Sequence, residues 1–142
     1  MQKIILEGKT ILVTGSAGFI GANLVKRLFA ELKSGCIVGI DNMNAYYDVA
    51  IKEYRLREIE SLKPDGIEYH FIKGDIADAA AIKRIFAEYK PFVVVNLAAQ
   101  AGVRYSITNP EAYIESNLIG FYNILEACRH SYDGGVSGVE HL

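Results

Sequence analysis

Thr10-Ile11-Leu12-Val13-Thr14-Gly15-Ser16-Ala17-Gly18-Phe19-Ile20-Gly21-Ala22-Asn23-Leu24 is the stretch whose reading decides the fold. A short apolar run, Ile11 to Val13, leads straight into glycines at 15, 18 and 21, and a helical pattern follows at once. Strand, glycine turn and helix in that order are the context of a dinucleotide-binding fingerprint. Gly15 permits the tight turn out of the strand, and Gly18 removes a side chain where the backbone must approach a diphosphate. Gly21 lets the helix pack close to the sheet, with its N-terminal amides and positive dipole end toward the phosphates. Taken alone, the Gly-x-x-Gly-x-x-Gly spacing also fits an ordinary glycine-rich turn.

Asp41 adds the second half of the signal. It ends another apolar run, Cys36-Ile37-Val38-Gly39-Ile40, and lies 20 positions beyond Gly21. An acidic residue near that distance accepts hydrogen bonds from the adenosine ribose and repels a 2′-phosphate, which favours NAD over NADP.

The 142 residues fit one domain, taken as 1–142. A hydrophobic share of 51% and a net charge of -2 point away from nucleic acid, whose binders are usually basic. Cys36 and Cys128 stand far apart and read as reduced thiols, while His70, His130 and His141 lack ligand spacing, so no metal is expected. No apolar stretch approaches the roughly 18 residues of a membrane span, and a cytoplasmic protein is the simplest expectation.

The remaining chain alternates helix and strand. Ile20, Leu24, Leu28 and Leu32 mark a helix over about 20–32, closed by Ser34-Gly35. The charged segment 49–62 reads as a helix with a solvated face. Ile67 to Lys73 reads as a third strand, ending at Asp75, either a contact for the adenine end of a cofactor or a helix N-cap. Ile82, Ile85, Phe86 and Tyr89 make a third helix, stopped by Pro91. Phe92 to Leu97 is the most strand-like run. Ala98-Ala99-Gln100-Ala101-Gly102 then offers small side chains, either as loop filler or as a ligand wall. Pro110 opens a long helix, to about His130, with Ile114, Leu118, Phe121, Leu125 and Cys128 in one stripe and Asn117 beside it. Asn117 would bond a cofactor or a neighbouring loop backbone. Ser131 to Gly138 reads as a loop, and Val139-Glu140-His141-Leu142 as a fifth strand just beginning, so the outer edge of the fourth strand is expected to be open. The pattern predicts an α/β fold: a Rossmann-type doubly wound parallel sheet in three α/β/α layers, cut off after the fourth strand and the start of the fifth.

Several segments together resemble the extended short-chain dehydrogenase/reductase family, and within it the nucleotide-sugar 4-epimerases, most of all those acting on UDP-glucuronate. They are Thr14 to Gly21, Asp41-Asn42 with Tyr46-Tyr47-Asp48, Gly74-Asp75-Ile76, and Leu97 to Ser106 running on through Asn109-Pro110 to Ser116-Asn117 and Asn123 to Glu126. Asn96 departs from the pattern, since these epimerases usually carry His there.

The resemblance implies NAD as cofactor, with Gly15, Ser16, Ala17, Gly18, Phe19, Ile20 and Gly21 around the diphosphate. It places Asp41 and Asn42 at the adenosine ribose, Asp75 and Ile76 at the adenine, and Leu97, Ala98, Ala99 and Asn117 at the nicotinamide side. Val103 and Arg104 would approach the sugar nucleotide, where a guanidinium suits a carboxylate or phosphate; a surface ion pair is the plainer role for Arg104. It further implies inversion at C4 of a UDP-sugar through a 4-keto intermediate, by transient hydride transfer to NAD, in a homodimer joined by the long helix. The tyrosine base, its lysine four residues on and a Ser or Thr are expected after Leu142. Tyr69 and Lys73 match that spacing by letter, but a strand holds them about 13 Å apart, against about 6 Å on a helix. A dehydratase or decarboxylase with the same cofactor half, or a non-catalytic NAD-sensing module, remain the alternatives.

Overall fold

In a computed structural model of the chain, residues 4–135 and 137–142 are described. Four parallel strands lie in the order β3-β2-β1-β4: β1 Thr10–Thr14, β2 Gly35–Asp41, β3 Ile67–Lys73 and β4 Val93–Asn96. The strands read as near-continuous apolar runs because both faces are covered. Helices α1 (Phe19–Glu31) and α2 (Val49–Leu62) bury Val25, Leu28, Phe29 and Ile59 against Ile11, Val13 and Ile37. On the other face α3 (Ala79–Tyr89) and α6 (Phe121–His130) bury Ile82, Ile85, Phe86 and Ile124 against Leu12, Val38 and Val94. This is the expected doubly wound, three-layer arrangement. The order of strands turns back between β1 and β4, which opens a crevice at their carboxyl ends.

Local chemistry sets the helix boundaries. Asp48 caps α2 by accepting from the Ala50 amide, and Asp78 caps α3 by accepting from Ala81. Asp75 is therefore not the cap of α3; its Oδ1 accepts from Ala77 N instead, in a turn. Helix α1 ends at Glu31, close to the expected 32, with Leu32 as its C-cap, so Ser34-Gly35 does not close it and Gly35 instead opens β2 at φ +138°. The segment expected as a beginning strand meets β4 at a parallel bridge between Val93 and His141, with Glu140 N donating to Phe92 O and Val94 N to His141 O. Part of the β4 edge is thereby covered, contrary to expectation. The expected loop Ser131–Gly138 includes Val136, which lies outside the described residues.

The expected single helix over 110–130 is the main correction. The chain forms short helices α4 (Tyr105–Thr108) and α5 (Pro110–Tyr113), then a π-helical segment Ile114–Gly120, and only then α6. A π segment carries more residues per turn and rotates everything after it. Gly120, Asn123, Ile124 and Ala127 consequently face the core, whereas Ile114, Leu118, Phe121 and Leu125 of the predicted stripe are 41–61% exposed. The buried Asn123 amide is satisfied by donating to Ile76 O and Ala77 O, at 2.9 and 3.0 Å.

Substitution separates the two faces. Ile124→Ala is expected to cost about 2–5 kcal/mol in urea unfolding, as a core deletion does. Leu125→Ala, on the exposed face, should stay within about 0.5 kcal/mol, as surface changes do. Equal losses at the two positions would contradict this assignment of faces.

Candidate functional site

The glycine turn sits in the crevice between β1 and β4. Gly15 adopts φ +68°, and a β-carbon there would lie 2.9 Å from Ala98 N, at the exit of β4. A β-carbon on Gly21 would collide with the Gly15 carbonyl, whose carbon is 2.9 Å from that position. Thr14 closes the same crevice from below. Its hydroxyl donates to Asn96 Oδ1 at 2.6 Å and accepts from Leu97 N and Ala98 N, both at 3.0 Å. The asparagine that departs from the resemblance thus joins two strand ends.

The main-chain hydrogen bonds divide the seven turn residues into two groups. Ser16 N donates to Ile40 O, Ala17 N to Asp41 Oδ2 and Gly18 N to Gly15 O. Ser16 Oγ is buried and unpartnered, next to Gly39. The backbone amides of Ser16 and Ala17 are therefore engaged within the protein. The bond between Ala22 N and Gly18 O starts the helix, so Phe19, Ile20 and Gly21 keep their amides without main-chain acceptors among the described residues. These are the donors at the positive end of a 13-residue helix. Phe19 and Ile20, 71% and 66% exposed, add apolar surface at this end of the helix.

Asp41 is buried at the end of β2. Its carboxylate accepts from Ala17 N (3.2 Å), Met43 N (2.9 Å) and Lys52 Nζ (3.2 Å). Three of its roughly four acceptor sites are filled, leaving capacity for one further donor. Lys52 is buried too and also donates to Asn44 Oδ1. Reading the charges of 49–62 as a solvated face missed it; its place one turn after the Asp48 cap was the available signal. Arg55 was missed likewise: it donates to Ala17 O and lies over the Phe19 ring, 5.8 Å from the centroid. Asn42 Nδ2 donates to Asp75 Oδ2 at 3.0 Å, so these two expected contacts are joined, with Ile76 buried beside them.

Asn117 is exposed, and its amide clamps Gln100 by accepting from Gln100 N and donating to Gln100 O. Of the two roles open to it, the structure shows the loop-backbone bond. Farther along, Tyr46 packs on Tyr47 and Tyr105, with centroids at 4.6 and 4.8 Å, and Tyr113 donates to the carbonyls of Ala101 and Gly102. Burial and the adjacent Tyr46 and Tyr105 raise Tyr113 above the usual phenol range, which keeps it a donor. Gly102, at φ +98°, leaves no room for a β-carbon beside the Tyr46 hydroxyl. These tyrosines hold the Tyr46-Tyr47-Asp48 loop against the loop carrying Val103 and Arg104. Both of those are exposed, and Arg104 forms no ion pair among the described residues. Tyr69 and Lys73 lie within β3, so their spacing is that of a strand.

The result is a shallow trough of about 130 Å³, lined by Gly15, Gly18, Asp41, Asn42, Lys52, Asp75, Ile76, Leu97, Ala98 and Ala99 among others. A larger groove of about 870 Å³ lies between α3 and α6 beside Pro91 and Phe92. The trough is the better site, because two turn glycines, a carboxylate and small side chains converge there at the strand ends, beside the amino end of α1.

The family model for GDP-mannose 4,6-dehydratase matches residues 12–137. Protein CapI of Staphylococcus aureus is 48% identical over 121 residues, 84% of this chain and 34% of CapI. UDP-glucuronate 4-epimerase 3 of Arabidopsis thaliana is 43% identical over 124 residues, 87% of this chain and 27% of the relative. A crystal structure of UDP-glucuronic acid 4-epimerase from Bacillus cereus with UDP-glucuronic acid and NAD superposes with a TM-score of 0.72 at 31% identity, covering 85% of this chain and 36% of that one. The chain thus spans about a quarter to a third of the relatives' lengths.

If the buried Asp41–Lys52 pair holds the trough floor, Lys52→Met should cost about 3–5 kcal/mol in urea unfolding, because it strands a buried charge. Adding Asp41→Asn should return much of that loss. Strictly additive losses in the double mutant would contradict the pairing.

Proposed function

We propose, for a chain that belongs to the GDP-mannose 4,6-dehydratase family, that it is the NAD-binding portion of a nucleotide-sugar 4-epimerase acting on UDP-glucuronate or UDP-galacturonate. One observation carries the reading: a trough at the switch point of a parallel sheet is lined by Gly15, Gly18, a fixed carboxylate and the small residues Ala98 and Ala99, next to a helix whose three first-turn amides are unpaired among the described residues.

The residues fit the cofactor. Phe19, Ile20 and Gly21 would hold the diphosphate through their amides, with Gly15 and Gly18 keeping the approach clear. Asp41, backed by Ala17, Met43 and Lys52, would take a ribose hydroxyl, and Asn42, Asp75 and Ile76 would border the adenine. Ala98 and Ala99 would form a thin wall beside the nicotinamide, with Leu97 next to them. Bound NAD supplies a reversible hydride acceptor, which inversion at a carbinol carbon requires. Arg104 stands ready for an anionic group of a sugar nucleotide, since nothing in the chain neutralises it among the described residues. Asn117 would act at one remove, by fixing the Gln100 loop. The only Tyr-x-x-x-Lys in these residues lies on β3, so no base-and-lysine pair is assigned here and turnover of a UDP-sugar is not expected of this chain alone. A sugar-nucleotide dehydratase or decarboxylase shares this cofactor half, and the Tyr46-Tyr47-Asp48 loop packed against the Arg104 loop favours the epimerase reading.

The exposed apolar face of Ile114, Leu118, Phe121, Tyr122 and Leu125 supports a homodimer built on this helical region. No helix among the described residues is long and apolar enough to cross a membrane, in keeping with the cytoplasmic role such an enzyme would have.

Calorimetric titration should show NAD bound more tightly than NADP, with the ratio of affinities falling about tenfold or more in Asp41→Asn, a change of about 1.4 kcal/mol or more. An unchanged ratio in a folded variant would remove the role of Asp41. By light scattering the protein should be dimeric and Leu118→Asp monomeric; a dimer that survives this change would place the interface elsewhere.

A further inference from the structure

The three donors Cys36, Glu68 and His70 come together although 32 and 34 residues separate Cys36 from the other two. The register of the sheet does this. Cys36 pairs with Glu68 and Val38 with His70, so Cys36, Glu68 and His70 project from one face of two adjacent parallel strands. Their ligating atoms all lie within 4.8 Å of one another, and His70 Nε2 is 3.6 Å from Glu68 Oε2. We propose that these three side chains form a binding site for a borderline-soft divalent cation of the zinc type.

The geometry matches that chemistry. Zinc bonds of about 2.0–2.2 Å to nitrogen and carboxylate oxygen, opened at the tetrahedral angle, put those two atoms about 3.4 Å apart. The observed 3.6 Å is close to that before any adjustment. A zinc–sulfur bond of about 2.3 Å places the thiolate slightly farther from both, still within reach of small rotamer shifts. Glu68 and His70 side chains are 78% and 43% exposed, so they have room to adjust and an ion has a way in. Cys36 is half-buried and fixes the inner corner. The Tyr89 ring lies 5.1 Å from the imidazole, on the α3 side, and limits its rotation. A Cys, His and carboxylate set selects zinc-like ions over magnesium or calcium, which prefer all-oxygen shells. Three protein ligands leave a fourth position for water.

The site is independent of the trough. Five residues of β2 separate Cys36 from Asp41, about 16 Å along the strand, so the cation would sit at the amino ends of the strands and the nucleotide at the carboxyl ends. Its effect there is mechanical. β3 is the outer strand of this sheet, joined to the rest only through β2, and a bound ion would fasten the two together.

Cobalt(II) and zinc are the probes. Cobalt added to the reduced protein should give the near-ultraviolet thiolate charge-transfer band and the strong visible bands of four-coordinate cobalt. These should vanish in Cys36→Ser, weaken at least tenfold in apparent affinity in His70→Gln and Glu68→Gln, and persist in Cys128→Ser. Zinc should compete cobalt away and raise the melting temperature by several degrees in the unmodified protein but not in His70→Gln. Glu68 and His70 are exposed enough that their variants should fold, which circular dichroism will confirm, so the test stands even if Cys36→Ser does not fold. No charge-transfer band at millimolar cobalt, a band that survives Cys36→Ser, affinity unchanged in both His70→Gln and Glu68→Gln, or loss of the band in Cys128→Ser would each overturn the site.

Discussion

The structure depends on how closely one helix is allowed to approach one strand. At Gly21 the first turn of α1 rests on the Gly15 carbonyl, and no β-carbon fits between them. At Gly15 the chain turns at positive φ and its α-carbon faces the Ala98 amide, with no space for a side chain either. Close approach at these two points brings the amino end of α1 directly over the crevice between β1 and β4. Move the helix outward by one methyl group, and its amino end no longer sits beside the trough that Gly18, Asp41 and Ala98 line. The glycines therefore act mainly on the protein's own packing. Their effect on a ligand follows from where that packing leaves the amides.

The same logic explains why the turn is unequal along its length. A glycine-rich loop of seven residues reads in the sequence as seven contacts for a phosphate. In the fold Ser16 and Ala17 spend their amides on β2, through Ile40 O and the Asp41 carboxylate. This makes Asp41 a structural acceptor as well as the proposed recognition group. Its third partner, Lys52, is a buried cation whose desolvation is offset by Asp41 and Asn44 together. The lysine also dilutes the negative charge that would repel a 2′-phosphate. In the proposed reading, discrimination between the two dinucleotides rests on a carboxylate that is already paired with a lysine.

Local signals in the sequence were faithful where the decisive interaction is local. The strands, the charged helix α2 and the end of α3 before Pro91 all follow from runs and breakers a few residues long. The site residues were legible where a glycine or a strand-ending aspartate marks them. What failed had a distant cause. A π segment at Ile114–Gly120 shifts the phase of α6, so periodicity identified an apolar face but placed it on the wrong side. Lys52 looked like any other charge on a helix, because its partner Asp41 stands at the end of β2, eleven residues back. Cys36 lies 32 and 34 positions from Glu68 and His70, and only the register of two strands shows that the three are neighbours.

The π segment does more than mislead periodicity. Gly120, just before α6, packs against Ile76 with no space for a β-carbon, which pins the helix to the loop after β3. Asn117, within the segment, holds both main-chain groups of Gln100 after β4. A regular helix advances 3.6 residues per turn and would swing Asn117 and Gly120 by a different angle relative to each other. The wider winding lets one helical region grip two loops at the carboxyl edge of the sheet, while Leu118, Phe121 and Leu125 turn outward. The apolar residues released in this way are those proposed above as the dimer face. Loop positioning and the exposed face thus have a common origin in seven residues wound one step looser than their neighbours.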